Sequence, residues 1–354
     1  MNTLSFDPKI IGMAHSLKLN GDDPLQSIMA FCRKRVAQML KSGGAIQTIW
    51  DFEILVCRHL NLVIHEIWSD EELQAFSFRY AKDEGDPSFG ALGMQLEAHD
   101  TYGVLYQRNV LNEAGEFRYV AFVDCRGDKK LKRFFTRWHE IAHLLTLVDQ
   151  LELPFHRSTT VQNPTERLMD AIAGEIGFYD PIFEPVLTAE LRHTGHLTFL
   201  GVERVRAAAC PDASYAASLI ACVKRVPHPL AHLEVGEGFK KEEAALLRSR
   251  QMNFFPIPMP VAKLRALKSS SNTSARDIGF VVHQNMQIPS ASKIALHFAE
   301  SNGVEMTTGV LGQEDLSMWT HSNGIPIGEG RVRVQARRIA GVLNALVQPL
   351  DRNA

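Results

Sequence analysis

The sequence predicts an α+β protein in three parts, and three observations carry that prediction. Apolar residues recur at helical spacing through 25–40, a β-branched run follows at 62–68 and strand-like runs at 103–107 and 117–123, so helices and strands share the first part. After those strands comes His139-Glu140-Ile141-Ala142-His143, which sets two metal-type side chains one helical turn apart. Further on, Asn253-Phe254-Phe255-Pro256-Ile257-Pro258-Met259-Pro260 alternates prolines that remove backbone donors and favour an extended connection. The expected divisions are a metal-site domain over 1–183, a mostly helical middle segment over 184–250, and a mixed α/β domain over 251–354.

Each element has a local reason. Asp23 caps a helix with Pro24 at its first position; Leu25, Ile28, Met29, Cys32, Val36, Met39 and Leu40 form its apolar stripe, and Gly43-Gly44 stop it. A second apolar-periodic segment from about Ile46 to Leu60 leads into a strand at Leu62-Val63-Ile64-His65-Glu66-Ile67-Trp68. The polar, acidic stretch 70–101 reads as loop or short helix. Strands at Gly103–Gln107 and Phe117–Val123 are joined through Asn112-Glu113-Ala114-Gly115, giving a small antiparallel sheet.

In the middle segment, Leu197-Thr198 starts a helix carrying Phe199, Leu200, Val202 and Val205. Cys210-Pro211-Asp212 breaks it, and Tyr215, Leu219, Ile220 and Val223 mark the next, an order that is helix-turn-helix-like in outline only. The last part reads as a loop at Lys268–Ser274, a helix at Ala291–Glu300, strands at Gly303–Gly312, Leu316–His321 and Arg331–Arg338, and a final helix near Ile339–Val347.

The chemistry concentrates in the five-residue motif. At about 100° per residue, positions i and i+4 lie nearly above one another, so His139 and His143 share a stripe and can share one zinc ion. Glu140 stands beside that stripe, where a general base reaches water held at the ion's exchangeable position. A third protein ligand is expected downstream, and Thr165–Glu175 offers Glu166, Asp170 and Glu175. Glu166 and Asp170 share a helix face while Glu175 points away, so Glu166 is taken as the ligand. Asp170, one turn on, can then accept the distal ring N–H of a ligating histidine. A small sheet followed by the metal-site helix is the order a zincin-like domain needs. An oxyanion donor is expected but not identified, with His156, Tyr179, His193 and His196 as candidates.

At 354 residues the chain is long enough for two or three cores, and 45% hydrophobic with 22% charged residues is ordinary globular usage. Net charge is -2 with pI ≈ 6.7, so no global field holds the protein on nucleic acid or an anionic membrane, and neither direct nucleic-acid binding nor membrane association is expected. The middle segment agrees: Arg192, Arg204, Arg206, Lys224 and Arg225 only slightly outweigh Glu190, Glu203 and Asp212. Cys32, Cys57, Cys125, Cys210 and Cys222 are odd in number and widely spaced, which predicts reduced thiols. With no signal-type start and no membrane-length apolar run, the expected location is the cytoplasm.

With both motifs in view, the sequence resembles the ImmA/IrrE-type metallopeptidases. Their usual pattern runs from an Arg/Lys-rich, Phe-containing stretch into H-E-x-x-H, then to a Glu opening E-x-x-A-N-x-F-A-A, and commonly closes on L-L-M-P. Here Lys129-Lys130-Leu131-Lys132-Arg133-Phe134-Phe135-Thr136-Arg137-Trp138 leads into His139, Glu166 opens the second motif, and Asp170 stands where Asn or Asp is common. Ile172-Ala173-Gly174 replaces Phe-Ala-Ala, and Ile176-Gly177-Phe178-Tyr179 stands at the close. The likeness covers roughly residues 25–235 and extends more loosely to the C-terminus, as in the longer, IrrE-like members.

The resemblance implies a gluzincin-like zinc endopeptidase with a C-terminal GAF-like sensor domain, acting in stress-response regulation by cutting a helix-turn-helix repressor. The rival expectation is a metal-binding sensor that holds a partner without cutting it. Retention of Glu140 speaks for catalysis, since binding alone needs only the ligands.

Overall fold

A computed structural model describes residues 4–41, 43–109, 117–147, 155–158, 163–248, 260–301, 309–321 and 324–350. It is mixed α+β, and its contacts divide the chain into two units: 1–188 with 204–218, and 189–203 with 219–354. Among the described residues, no helix is long and apolar enough to cross a membrane.

The first unit begins with three helices, α1 (Pro8–Ser16), α2 (Pro24–Lys41) and α3 (Ile49–Leu60). Asp23 accepts from the Gln26 N–H at the start of α2, and Leu25, Ile28, Met29, Cys32, Val36 and Met39 form its buried stripe, as the spacing predicts. Thr48 and Asp51 make a reciprocal capping box on α3, and Asn61 ends it in the left-handed conformation so that β1 (Leu62–Ile67) follows at once. Next come α4 (Asp70–Phe78), a π turn at Arg79–Asp83, a 3-10 turn at Pro87–Ala91 and α5 (Leu92–Glu97), so the acidic stretch 70–101 is largely helical.

Strands β2 (Thr101–Gln107) and β3 (Tyr119–Asp124) pair antiparallel, as expected; the connecting residues 112–115 lie outside the described set. The sheet differs from the expected antiparallel one, because β1 runs parallel to β3. With β4 (Phe155–Ser158) antiparallel to β2, its order is β1-β3-β2-β4. A parallel pair needs a crossover, and here it runs through α4, α5 and β2.

Side-chain alternation gives this sheet two different faces. Val104, Tyr106, Val120 and Phe122 join Tyr80, Phe89, Leu92 and Leu96 in one apolar cluster. The other face meets α6 (Arg133–Thr146), against which α7 (Pro164–Ile176) packs through Leu168, Met169, Ile172 and Ala173. Three more helices follow, α8 (Asp180–Thr194), α9 (Phe199–Ala209) and α10 (Tyr215–Arg225), and the division between the units falls inside all three.

The second unit holds a five-stranded antiparallel sheet of β5 (Ala231–Gly238), β6 (Lys263–Ser271), β7 (Val310–Asp315), β8 (Arg331–Ile339) and β9 (Val342–Pro349), in the order β6-β5-β9-β8-β7. Its helices are α11 (Lys241–Arg248), α12 (Thr273–Asp277) and α13 (Lys293–Ser301). Leu233, Val235, Phe280, Ile294, Trp319, Val332, Val334, Leu343 and Val347 sit in its core.

Three expectations are corrected here. The final helix at Ile339–Val347 is instead the β8–β9 hairpin, turning at Ala340 (φ 48°) and Gly341 (φ 79°) with Ile339 opposite Val342. The loop at Lys268–Ser274 is the end of β6 and the start of α12, whose cap Asn272 accepts from the Ala275 and Leu230 N–H groups. Leu316–Met318 is a 3-10 turn, not a strand. The sheet also takes β5 from upstream of the expected 250/251 boundary, while residues 253–259 of the proline segment lie outside the described set.

Candidate metal centre

Every residue of α6 from Thr136 to Thr146 is buried, although the helix carries Arg137, His139, Glu140 and His143. A helix buried on all sides with four such groups must give each of them company, because an isolated buried charge is strongly disfavoured. Its termini are held from within and without. Thr136 Oγ1 donates to the Lys132 carbonyl at 3.0 Å, and Arg35 of α2 donates to the Leu144 and Leu145 carbonyls at 3.0 and 2.9 Å. Those last carbonyls are the negative end of the helix, where a guanidinium is favourable.

On one face, His139 and His143 meet the first turn of α7. Asn163 caps α7 by accepting from the Thr165 N–H, and Pro164 occupies the opening position, which sets Glu166 at the positive end of the helix. The Nε2 atoms of His139 and His143 lie 3.2 Å apart. Glu166 places Oε2 2.9 Å from His139 Nε2 and Oε1 3.7 Å from His143 Nε2.

These three side chains form the metal-type cluster found among the described residues. In a tetrahedral zinc site with bonds of about 2.0–2.1 Å, neighbouring ligand atoms lie about 3.3 Å apart. The observed separations of 3.2, 2.9 and 3.7 Å bracket that spacing, so two imidazoles and one carboxylate fit zinc in chemistry and in geometry.

The electrostatics point the same way. Burial pushes the Glu166 carboxyl up, but hydrogen bonds with His139 and His143 outweigh it and hold it at about 2, so it is ionised. Burial lowers the His143 ring from its usual value and favours the neutral imidazole, the form that binds metal. Asp170 Oδ1 lies 2.9 Å from His139 Nδ1, where it can accept the ring's distal proton and leave Nε2 to face the cluster. Glu175 is turned away, as helical phase predicts, and pairs with Arg33 of α2.

Glu140 is fully buried beside the cluster. A Cβ built on Gly103 of β2 would fall 2.7 Å from its Oε1, so the strand passes directly against this carboxylate. Gly177, just past α7, is needed in the same sense, since a Cβ there would come 2.7 Å from Trp138 Cγ.

Among the oxyanion candidates, Tyr179 stacks on Phe52 with centroids 4.1 Å apart, and Phe52 in turn stacks on Trp138. His193 and His196 belong to the second unit. His156 has its backbone in β4 and its side chain outside the described set. None of the four is assigned that role.

Sequence reasoning missed the opposite face of α6. Arg137, buried, pairs through Nε with Glu53 of α3 at 2.9 Å, through Nη1 with Glu66 of β1, and through Nη2 with Asp212 at 3.3 Å. The basic run ahead of the motif is largely spent inside the unit as well. Lys129 reaches Asp124 at 2.8 Å, Arg133 reaches Asp212 at 2.5 Å, and Lys132 Nζ sits 3.9 Å above the Tyr102 ring. The available signal was phase: Arg137 stands at the edge of the apolar face of α6, between Arg133 and Ile141, and once the helix is buried all round a cation there needs acidic partners.

No family model matches the chain, and no curated protein matches it.

Proposed function

We propose that this chain is a zinc-dependent endopeptidase of the ImmA/IrrE type that cuts a regulatory protein in the cytoplasm. The observation that carries the reading is the convergence of His139 Nε2, His143 Nε2 and the Glu166 carboxylate within 2.9–3.7 Å on a buried helix pair, with Glu140 next to the first ligand. On this reading the first unit is zincin-like, with β1–β3 preceding the metal helix and β4 following it. The second is a GAF-like sensor domain built on its five-stranded sheet. The resemblance points to a helix-turn-helix repressor as the protein cut, so that cleavage relieves repression.

His139, His143 and Glu166 would hold the zinc, which when bound would supply an acidified water and polarise the scissile carbonyl. Glu140 takes the proton from the attacking water and delivers it to the leaving amine, a role its carboxylate can fill and an amide cannot. Asp170 holds the His139 ring in the orientation and tautomer that keep Nε2 available.

Zinc-loaded, buffer-exchanged protein should carry one zinc per chain by elemental analysis. Incubated with a helix-turn-helix protein encoded beside it and followed by intact mass, it should yield two fragments. Glu140→Gln should keep the zinc and yield none. A chain that stays metal-free overturns the metal centre, and a zinc-loaded chain that binds the partner without changing its mass replaces the peptidase with a non-cutting sensor.

A further inference from the structure

We infer that Gly103 is a positioning residue for Glu140, its missing side chain letting strand β2 serve as a wall against the carboxylate; this rests on the peptidase reading above. Along β2, Val104 and Tyr106 point into the apolar cluster on one face of the sheet, so Gly103 and Leu105 turn to the face that meets α6. A Cβ at 103 would lie 2.7 Å from Glu140 Oε1, 2.7 Å from Thr136 Cγ2 and 3.4 Å from Glu140 Cδ. The first two are closer than real Cβ atoms come, so no side chain fits while both neighbours stay in place.

The glycine is there for space and not for backbone freedom, since Gly103 is not among the glycines with positive φ. Both partners in the contact are held. Thr136 is kept in its rotamer by the bond from Oγ1 to the Lys132 carbonyl at 3.0 Å. On the strand side, the register against β4 shifts between Thr101 and Gly103, a bulge at Tyr102, and the Tyr102 ring lies under Lys132 Nζ. Bulges of this kind re-aim a strand locally. Glu140 therefore cannot swing toward the sheet, and a carboxylate walled on one side keeps few rotamers, which is the preorganisation a general base requires.

The test separates space for the helix from space for the carboxylate. Thr136→Ser removes the methyl that meets the new side chain and keeps the hydroxyl, so Gly103→Ala/Thr136→Ser leaves Glu140 as the one group displaced. The probe is acetohydroxamate binding to zinc-loaded protein, read by calorimetry beside zinc content and urea midpoint. This ligand gives a proton to a carboxylate neighbouring the ion.

Glu140→Gln and the double variant should each bind it about tenfold or more weakly than wild type, with Thr136→Ser within about twofold. Zinc should remain at one per chain in all of them. A double variant that binds as Thr136→Ser does overturns the role of Gly103. Binding unchanged in Glu140→Gln strikes first at the peptidase reading and removes the basis for both. If the double variant does not fold, adding Glu140→Asp withdraws the carboxylate from the new methyl and must restore folding. Failure to do so assigns the need for glycine to the helix alone and overturns the inference.

Discussion

Helix α6 carries two polar clusters on opposite faces, and they are built on different principles. Around Arg137 one guanidinium meets the carboxylates of Glu53, Glu66 and Asp212, so its charge is answered by acids from three other segments. Around His139 and His143 two ring nitrogens face each other at 3.2 Å with one carboxylate between them, and neither ring has a positive charge to offer if it is to bind metal. The first is a closed ion-pair network that anchors the helix. The second converges two ring nitrogens and one carboxylate on a point, which on the proposed reading is where a metal ion would sit. Buried polarity alone does not separate structure from function; the balance of donors and acceptors does.

The sharpest way to break the comparison is at the metal face. His143→Ala and Glu166→Gln should each abolish tight zinc binding by elemental analysis. At free zinc 100 times Kd, wild type should gain about 2.7 kcal/mol on unfolding that these variants lack. Next in size is the opposite face. Arg137→Met should cost ~3–5 kcal/mol in denaturant unfolding of the metal-free protein, because it leaves Glu53 buried without its cation. That loss should exceed the metal-free loss in either ligand variant; equal losses would mean that both clusters are simply structural. The smallest effect belongs to Asp170→Asn, whose carboxylate is half exposed. It should weaken zinc about 10- to 100-fold in a chelator competition while leaving stoichiometry unchanged. An unchanged affinity would make the His139–Asp170 contact incidental.

Much of the first unit is legible in the sequence because each element has its own signal. The stripe of α2, the Glu166–Asp170 spacing on α7 and the β-branched run of β1 all follow a single period. What escapes is set by tertiary context. The segment Val342-Leu343-Asn344-Ala345-Leu346-Val347 reads as helix because β9 is a central strand buried on both faces, which erases alternation. Its turn uses Ala340-Gly341 at positive φ, where Asn-Gly would have announced a hairpin. The serines at 269–271 read as loop because the ladder to Leu233, His232 and Ala231 is made by backbone, which composition does not report. At the site, the proposed ligands His139, His143 and Glu166 are legible by spacing. Glu53, Glu66, Asp212 and Gly103 are not, since each matters only for what it meets across the fold.

The strand order β6-β5-β9-β8-β7 has a consequence for how the protein is made. The central strand of that sheet, β9, is the last of the five to leave the ribosome, and β5, made about a hundred residues earlier, pairs with it along Ala231–Val235. The second sheet therefore cannot close until nearly all of the chain described here has been synthesised, and its long-range pairing makes it the slower unit to form. His139, His143, Glu166 and Arg137 belong to a unit whose last segment is 204–218, so that unit can complete its ion pairs while the later strands are still being added. On the proposed reading, zinc would then meet a nascent chain whose second sheet does not yet exist.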